Sequence, residues 1–522
     1  MPEPFNASVY LVDRQLEAAA GDRVAIRCGS QQVTYQSLLG RVCDAASGLA
    51  ALGVRPEERV MLVMADGVEL VAAFLGAMRL GAVPVPMNTM LTAADLVRLA
   101  ENCRARVALT CEPFTSKVVE VAEAASELEH LVVVGESMPE VSGAAVHSWR
   151  EVMEDDGGWR APYRTWDESP GFWLFTSGTT GRQRGAIHRN VDLRVTAETY
   201  AETVLGIQAG DRCFSVAKLF FAYGLGNSLT FPLAAGACAV LDPAPPTPSS
   251  VLESLRLHEP TLFFGVPTFY AALLAADLPD DSFKSVRHGV SAGEPLPAPL
   301  LHRFKERFGV DILDGIGSTE ALHIFISNRK NDIRPGSTGT PVDSYELRLL
   351  DDDGNVLEGA ATGHLELRGD SVAIGYWCDA ASTRYSFRGD WLHTGDVYAR
   401  SEDGYYTYLS RSDDLIKAGG IWVAPAEVES VLLEYPGVLE AAVVGLPDEE
   451  GLDKPAAFVV PLPGQELDVD AVVEFCKRRL APFKRPRKVV LVDELPKTAT
   501  GKIQRFKLRQ LGGLAAPPPT GA

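Results

Sequence analysis

The chain has 522 residues, 46% hydrophobic and 23% charged, a globular composition too long for a single core, so two or more domains are expected. A formal charge of -20 reverses the general attraction to phosphate backbones and anionic bilayers, which excludes nucleic acid and membrane surfaces as partners but not a small anion held by a local basic cluster. The eight cysteines (28, 43, 103, 111, 213, 238, 378 and 476) show no CxxC pair and no His/Cys ligand spacing, which points to reduced thiols in a cytoplasmic enzyme and not to a disulfide framework or a zinc site.

The first residues, MPEPFNASVYLVDRQ, have no basic segment ahead of an apolar run and do not read as a signal peptide. The most apolar stretch, residues 60–87, is interrupted by Asp66, Glu69, Arg79 and prolines, so it predicts a buried strand–helix–strand and not a membrane span. LVRLAENCRARVALTC (96–111) predicts a helix running into a strand, LEHLVVVGES (128–137) a strand with a turn. VLESLRLHEPTLFFGVPTFYAALLAA (251–276) repeats the theme after a Pro/Ser-rich connector, LDPAPPTPSS (241–250). Such alternation predicts α/β layers with largely parallel sheets up to about residue 340.

Within this region residues 175–190 read FTSGTTGRQRGAIHRN, a loop-like run. Backbone N–H groups of a glycine loop can converge on phosphate oxygens where a Cβ would block approach. Thr176, Ser177, Thr179 and Thr180 would add neutral donors, and Arg182 or Arg184 a charge. The GxxxxGK[ST] spacing is not met from Gly178 or Gly181, so a kinase- or ATPase-type cradle is not supported. By itself the run fits a phosphate site or a solvated turn.

From about 340 the texture changes to short alternating strands around an Asp-Gly-Asn turn, predicting antiparallel β structure. A smaller α/β-patterned segment follows RSDDLIKAGG (411–420) and extends to about 511. The last residues, GGLAAPPPTGA (512–522), have the composition of a disordered tail.

TSGTTGRQRG resembles the nucleotide loop of the adenylate-forming superfamily, which comprises acyl- and aryl-CoA ligases, luciferases and peptide-synthetase adenylation domains. SAGE (291–294), DGIGSTE (314–320), WLHTGD (391–396), RSDDLIKAGG (411–420) and PKTATGKIQR (496–505) are similar to its further blocks, in the same order. The resemblance implies a large N-terminal domain, 1–412, with α/β layers and a β-barrel-like part. A small mobile α+β domain, 413–511, and the tail, 512–522, would follow. It implies that a carboxylate attacks the α-phosphate of ATP, pyrophosphate leaves, and a thiol takes the acyl group from the adenylate.

The resemblance also assigns roles. Thr176, Ser177, Gly178, Thr179, Thr180, Gly181 and Arg184 would hold ATP phosphates, and Gly293, Glu294 and Asp314 would face the adenine. Thr319 would bond the α-phosphate and Glu320 would ligate Mg²⁺, which demands an oxygen donor. Asp396 and Arg411 would hold the ribose. Lys502 would bridge the attacking carboxylate and the α-phosphate, and Asp413 would be the hinge. Lys417, Gly419 and Gly420 would line the path of CoA's pantetheine. The basic run KRRLAPFKRPRK (477–488), with seven basic residues, would either attract CoA or carrier-protein phosphates or simply be a solvated helix end.

Residues 217–237, DGIGSTEALHIF and the C-terminal stretch are most similar to the benzoate–CoA ligase branch. A flat ring wants an aromatic wall, clearance and an apolar cap. Phe221, Ala222, Tyr223, Gly317, His323 and Ile324 match that branch's pocket, although Phe221 and Ile324 also suit a core and His323 also suits a satisfied buried histidine. The sequence departs from the family's Pro-Lys-Gly ending of the opening loop with Gln183-Arg184-Gly185. The expectation is therefore an aryl-CoA ligase using ATP, Mg²⁺ and CoA on benzoate or a substituted benzoate. An enzyme loading a separate acyl carrier protein is the alternative, and a non-catalytic nucleotide- or acid-binding protein is the third reading. Monomer and homodimer are equally compatible.

Overall fold

The computed structural model describes residues 2–153, 161–177, 183–418, 421–448, 453–497 and 503–514. The apolar stretch at 60–87 forms strand Arg59–Val63, helix Val68–Arg79 and strand Val83–Pro86. These two strands join Val107–Cys111, His130–Val134 and Ala145–Ser148 in a five-stranded sheet whose pairings are all parallel. Parallel strands covered on both faces are apolar throughout, and the first four of these strands carry most of their residues buried. Helix Val68–Arg79 lies close against helix Tyr35–Ala51 because Gly76 has no side chain. A Cβ there would come within 2.7 Å of that of Ala45.

A nine-stranded sheet carries the site. Its order is Thr340–Pro341, Ile324–Ser327, Ile312–Gly317, His288–Ser291, Leu262–Gly265, Arg212–Ser215, Cys238–Leu241, Val24–Cys28 and Gln31–Thr34. The six central strands pair in parallel and the outer pairings are antiparallel. Helices Pro248–His258 and Pro267–Ala275 flank strand Leu262–Gly265. The expected connector at 241–250 shrinks to its middle: Leu241 closes a strand, and Thr247 caps the next helix with Pro248 at its start.

The change of texture near 340 is an antiparallel six-stranded sheet in which Tyr406–Arg411 pairs with the long strand Trp391–Arg400. The Asp-Gly-Asn turn is held by Asp351 Oδ1, which accepts the N–H groups of Asp353 and Asn355. Beyond it, strands Val438–Pro447, Asp453–Pro461 and Lys488–Leu491 form one sheet with helices Pro425–Leu433, Val469–Arg479 and Arg505–Leu514. That last helix carries three residues of the stretch expected as tail. The architecture is mixed α/β with parallel-rich sheets and a small C-terminal domain. Among the described residues no helix is long and apolar enough to cross a membrane.

Candidate active site

The run at 175–190 is a hairpin rather than a loop. Strands Pro170–Ser177 and Gln183–Arg189 pair antiparallel, with Thr176 opposite Arg184 and Ser177 opposite Gln183. Gly178, Thr179, Thr180, Gly181 and Arg182, between the arms, lie outside the described residues, as does the side chain of Ser177. Residues 374–377 run along the second arm: Ile374 N–H donates to Ile187 O at 3.0 Å, and Trp377 N–H to Gly185 O at 2.9 Å. This sets the ring of Tyr376 5.2 Å from the guanidinium carbon of Arg184. The Tyr376 hydroxyl donates to Glu320 Oε1 at 2.6 Å. Burial, and then the Glu320 carboxylate, push this phenol above its ordinary range, so it keeps its proton.

Thr319 and Glu320 lie in the turn joining the antiparallel strands Ile312–Gly317 and Ile324–Ser327, not at a helix N-terminus. Ser318 Oγ accepts Ala321 N–H at 3.1 Å, and Leu322 takes the left-handed conformation that closes the turn (φ 67°). The turn is also pinned from outside. His188 Nε2 faces the Thr319 carbonyl at 2.8 Å, so it is protonated and donates, while Nδ1 lies 3.0 Å from Asp192 Oδ2. Both His188 and Asp192 are fully buried, and the imidazole stacks on Phe172 at 5.1 Å.

The second cluster is Asp396 and Arg411, opposite each other on paired strands and bonded Nη1 to Oδ1 at 2.8 Å. Burial opposes the charge of Arg411, but Asp396, Tyr408 and Glu320 together outweigh it and raise the pKa. Asp314 stands opposite Ser291 where the parallel pairing of their strands ends, and burial pushes its carboxyl well above the usual range. Gly293 follows with φ 92°, a conformation that suits glycine in the SAGE turn. Asp413 sits in a short 3-10 turn, Ser412–Asp414, and Lys417 in strand Ile416–Ala418; their side chains, and Gly419, Gly420 and Lys502 entirely, lie outside the described residues.

Of the expected ring-binding residues, Tyr223 and Gly317 lie against His323. Its ring lies 5.5 Å from Tyr223, 5.4 Å from Tyr200 and 4.4 Å from Phe231, edge-on to the last. A Cβ on Gly226 would fall 2.3 Å from His323 Cδ2, and one on Gly317 2.5 Å from the His323 carbonyl oxygen. Nε2 lies 3.1 Å from Asn227 Oδ1 and 3.4 Å from the carbonyl of Tyr223, which places the proton there. Burial pushes the imidazole pKa down to about 3, so the ring is neutral. The hydroxyl of Tyr223 is shared between the carbonyls of Gly265 and Val290, at the carboxyl ends of two parallel strands. Ile324 is buried in the core, Ala222 opens a short helix, and Phe221 packs edge-on to Phe220 at 4.4 Å.

In the basic run, Lys477, Arg479 and Lys484 pair with Glu474, Glu434 and Glu427, which diverts much of its charge from any ligand. The sequence reading missed His188, Asp192, Tyr376 and Asn227. The i, i+4 spacing of His188 and Asp192 was a usable signal. Tyr376 offered none, since its partner is 56 residues away.

A model of the AMP-binding enzyme family matches residues 12–377, and a model of that family's C-terminal domain matches 427–502. The chain belongs to the AMP-binding enzymes. Benzoate–CoA ligase of Thauera aromatica is 45% identical over 98% of this chain and 96% of its own length. The 4-hydroxybenzoate–CoA/benzoate–CoA ligase of Rhodopseudomonas palustris is 41% identical over 98% of this AMP-binding enzyme and 95% of its own length. Among solved structures, an anthranilate CoA ligase, AuaEII, in complex with anthranoyl-AMP superposes with a TM-score of 0.94 at 40% identity, covering 99% of this chain and 98% of that one. A benzoate CoA ligase from Burkholderia xenovorans LB400 gives 0.89 at 42% identity, over 97% of this chain and all of that one.

Proposed function

We propose that this AMP-binding enzyme is an aryl-CoA ligase: it activates benzoate or a substituted benzoate with ATP and passes the aryl group to CoA. In the first step a carboxylate oxygen attacks the α-phosphorus and the bond to pyrophosphate breaks. In the second the CoA sulfur, losing its proton, attacks the acyl carbon and AMP leaves. The observation that carries this reading is the aromatic enclosure of Tyr223, Phe231 and neutral His323. His323 of this cluster directly follows the turn that presents Thr319 and Glu320, in a chain similar along its whole length to ligases of benzoates.

The residue roles in this reading are those that the family resemblance implies. Thr176, with Ser177 and residues 178–181, is assigned to the phosphates, and Thr319 to the α-phosphate, while Arg184 stands against the Tyr376 ring. Asp396 and Arg411 take the ribose, and Gly293, Glu294 and Asp314 the adenine. Among the described residues no group of three or more His, Cys, Asp and Glu is placed to hold a metal. A single hard carboxylate, Glu320, fits Mg²⁺ that arrives with nucleotide phosphates, where it would neutralise their charge. Lys502 is assigned to adenylation, Asp413 to the hinge between 1–412 and 413–511, and Lys417, Gly419 and Gly420 to the pantetheine path.

A panel of benzoates with ATP and Mg²⁺ tests the reading through acid-dependent ATP–pyrophosphate exchange and CoA-dependent AMP release. Exchange with no acid refutes the ligase; exchange with AMP release only on a carrier protein refutes CoA as the acceptor.

A further inference from the structure

Glu320 is half-buried and sits in a turn, so its carboxylate needs an external fix to hold one orientation. Tyr376 supplies one. It is 7% exposed, and its backbone is fixed on both sides by the bonds of 374–377 to the hairpin arm. Its own N–H donates to Thr383 Oγ1 at 3.0 Å, and its ring packs edge-on to Phe387 at 5.3 Å. None of these contacts involves the Glu320 side chain, although Ala373 N–H, three residues earlier, donates to the Glu320 carbonyl at 2.8 Å. The hydroxyl's place is thus set independently, and the 2.6 Å bond to Oε1 aligns the carboxylate to the tyrosine. Among the described residues Oε2 has no hydrogen-bond partner and is left for a cation. Arg184 completes the arrangement. It makes no salt bridge with a described residue, and its guanidinium carbon lies 5.2 Å from the Tyr376 ring centre. A planar guanidinium suits such a face better than a compact ammonium.

We propose that Tyr376 is the positioning residue for Glu320, orienting one carboxylate oxygen toward the nucleotide-borne metal, and that Arg184 acts through the Tyr376 ring rather than on a phosphate directly. This rests on the ligase reading for the identity of the metal–nucleotide complex. A hydrogen bond to a charged group is worth enough to change an affinity about 10-fold. The order of consequences is therefore specific: metal binding weakens first, and the second half-reaction, with no pyrophosphate charge to neutralise, is spared.

The test uses the full-length protein and the variants Tyr376→Phe, Arg184→Lys and their combination, with folding checked by thermal melting. Mn²⁺ is titrated into each protein with a non-hydrolysable ATP analogue and free Mn²⁺ is read by electron paramagnetic resonance. The Mg²⁺ dependence of pyrophosphate exchange and thioester formation from synthetic aryl-adenylate are measured in parallel. Tyr376→Phe is expected to weaken Mn²⁺ binding and raise the half-saturating Mg²⁺ about 10-fold, with thioester formation within about 2-fold of the parent. Arg184→Lys shifts the same quantities less, and the double variant is no worse than Tyr376→Phe alone. Unchanged Mn²⁺ binding in folded Tyr376→Phe overturns the proposal, as does equal loss of both half-reactions. Additive effects in the double variant overturn the part assigned to Arg184. Should Tyr376→Phe not fold, Arg184→Lys decides on the same readouts, and unchanged Mn²⁺ binding again overturns the proposal. A parent protein that exchanges with no acid refutes the ligase, whereas the Mn²⁺ titration, which needs no acid, still scores Tyr376.

Discussion

Asp66 accepts the backbone N–H of Leu219 on both carboxylate oxygens, at 3.1 and 3.2 Å, and so fixes the segment that leads into Phe221, Ala222 and Tyr223. Burial raises its pKa from 3.8 to about 6, with Lys218 opposing the shift. A carboxyl whose folded pKa is raised contributes stability that is full below about pH 4 and lost as pH rises through about 6. Asp66→Asn keeps an acceptor for Leu219 and removes the ionisation. The stability difference between variant and parent should therefore move in the variant's favour by about 2 kcal/mol between pH 4.5 and pH 8. Denaturant melts at the two values check this, and a difference independent of pH removes Asp66 as the titrating group. Tyr223 behaves differently because its hydroxyl is bound to strand carbonyls and only its ring faces His323. Tyr223→Ala should change the preference among benzoates by about 10-fold or more while the KM for ATP stays within about 2-fold. Exchange assays over the acid panel measure both, and the opposite pattern takes Tyr223 out of the pocket. At this scale the sequence was legible where block position marks residues that the fold brings together, as for Asp396 and Arg411. It was silent on what a neighbour does: nothing local to Tyr376 announces that it meets Glu320.

The elements around the site are turns and edges, and there the reading from sequence was least secure. Buried strand–helix–strand units are written in apolar runs and helix caps, and the stretches at 60–87 and 96–111 fold as their patterns predict. The run at 175–190 reads as a loop because glycine, serine and threonine carry turn signals, whereas its flanking residues pair with each other as two strands, and residues 374–377, far along the chain, bond to the second of them. The HTGD segment, inside strand Trp391–Arg400, offers a test at this scale. Gly395 has φ 73°, and a Cβ there would come within 2.8 Å of Arg411 Nη2. Gly395→Ala must strain the backbone or displace the guanidinium that holds Asp396. The expected outcome is a KM for ATP raised about 5- to 10-fold with the KM for the acid unchanged, read by exchange kinetics. An unaltered KM for ATP means the pair does not serve the nucleotide.

Across the whole molecule, the change of texture near 340 and again after 411 announces the antiparallel sheet and the small C-terminal sheet, and the ordered blocks announce the chemistry. What the linear pattern does not contain is how the segment around Lys502 is anchored. Lys497 pairs with Glu440 at 2.8 Å and Arg505 with Glu429 at 2.6 Å, while Gln504 N–H donates to Pro496 O at 2.7 Å. The two ends that flank residues 498–502 are thereby held side by side, one on strand Val438–Pro447 and the other on helix Pro425–Leu433. One helical turn beyond Arg505, Arg509 pairs with Asp414, the neighbour of Asp413. A rotation at Asp413 would carry Lys502 as part of the small domain instead of letting it move alone. If Lys502 bridges the carboxylate and the α-phosphate only in the first half-reaction, Lys502→Ala should lower adenylate formation by about 100-fold or more, the usual cost of removing a stabiliser of developing charge. Thioester formation from supplied aryl-adenylate should stay near the parent rate, because that step breaks no phosphate bond to pyrophosphate. Single-turnover measurements of the two halves separate these outcomes, and equal loss in both would assign Lys502 to holding the small domain together and not to the chemistry.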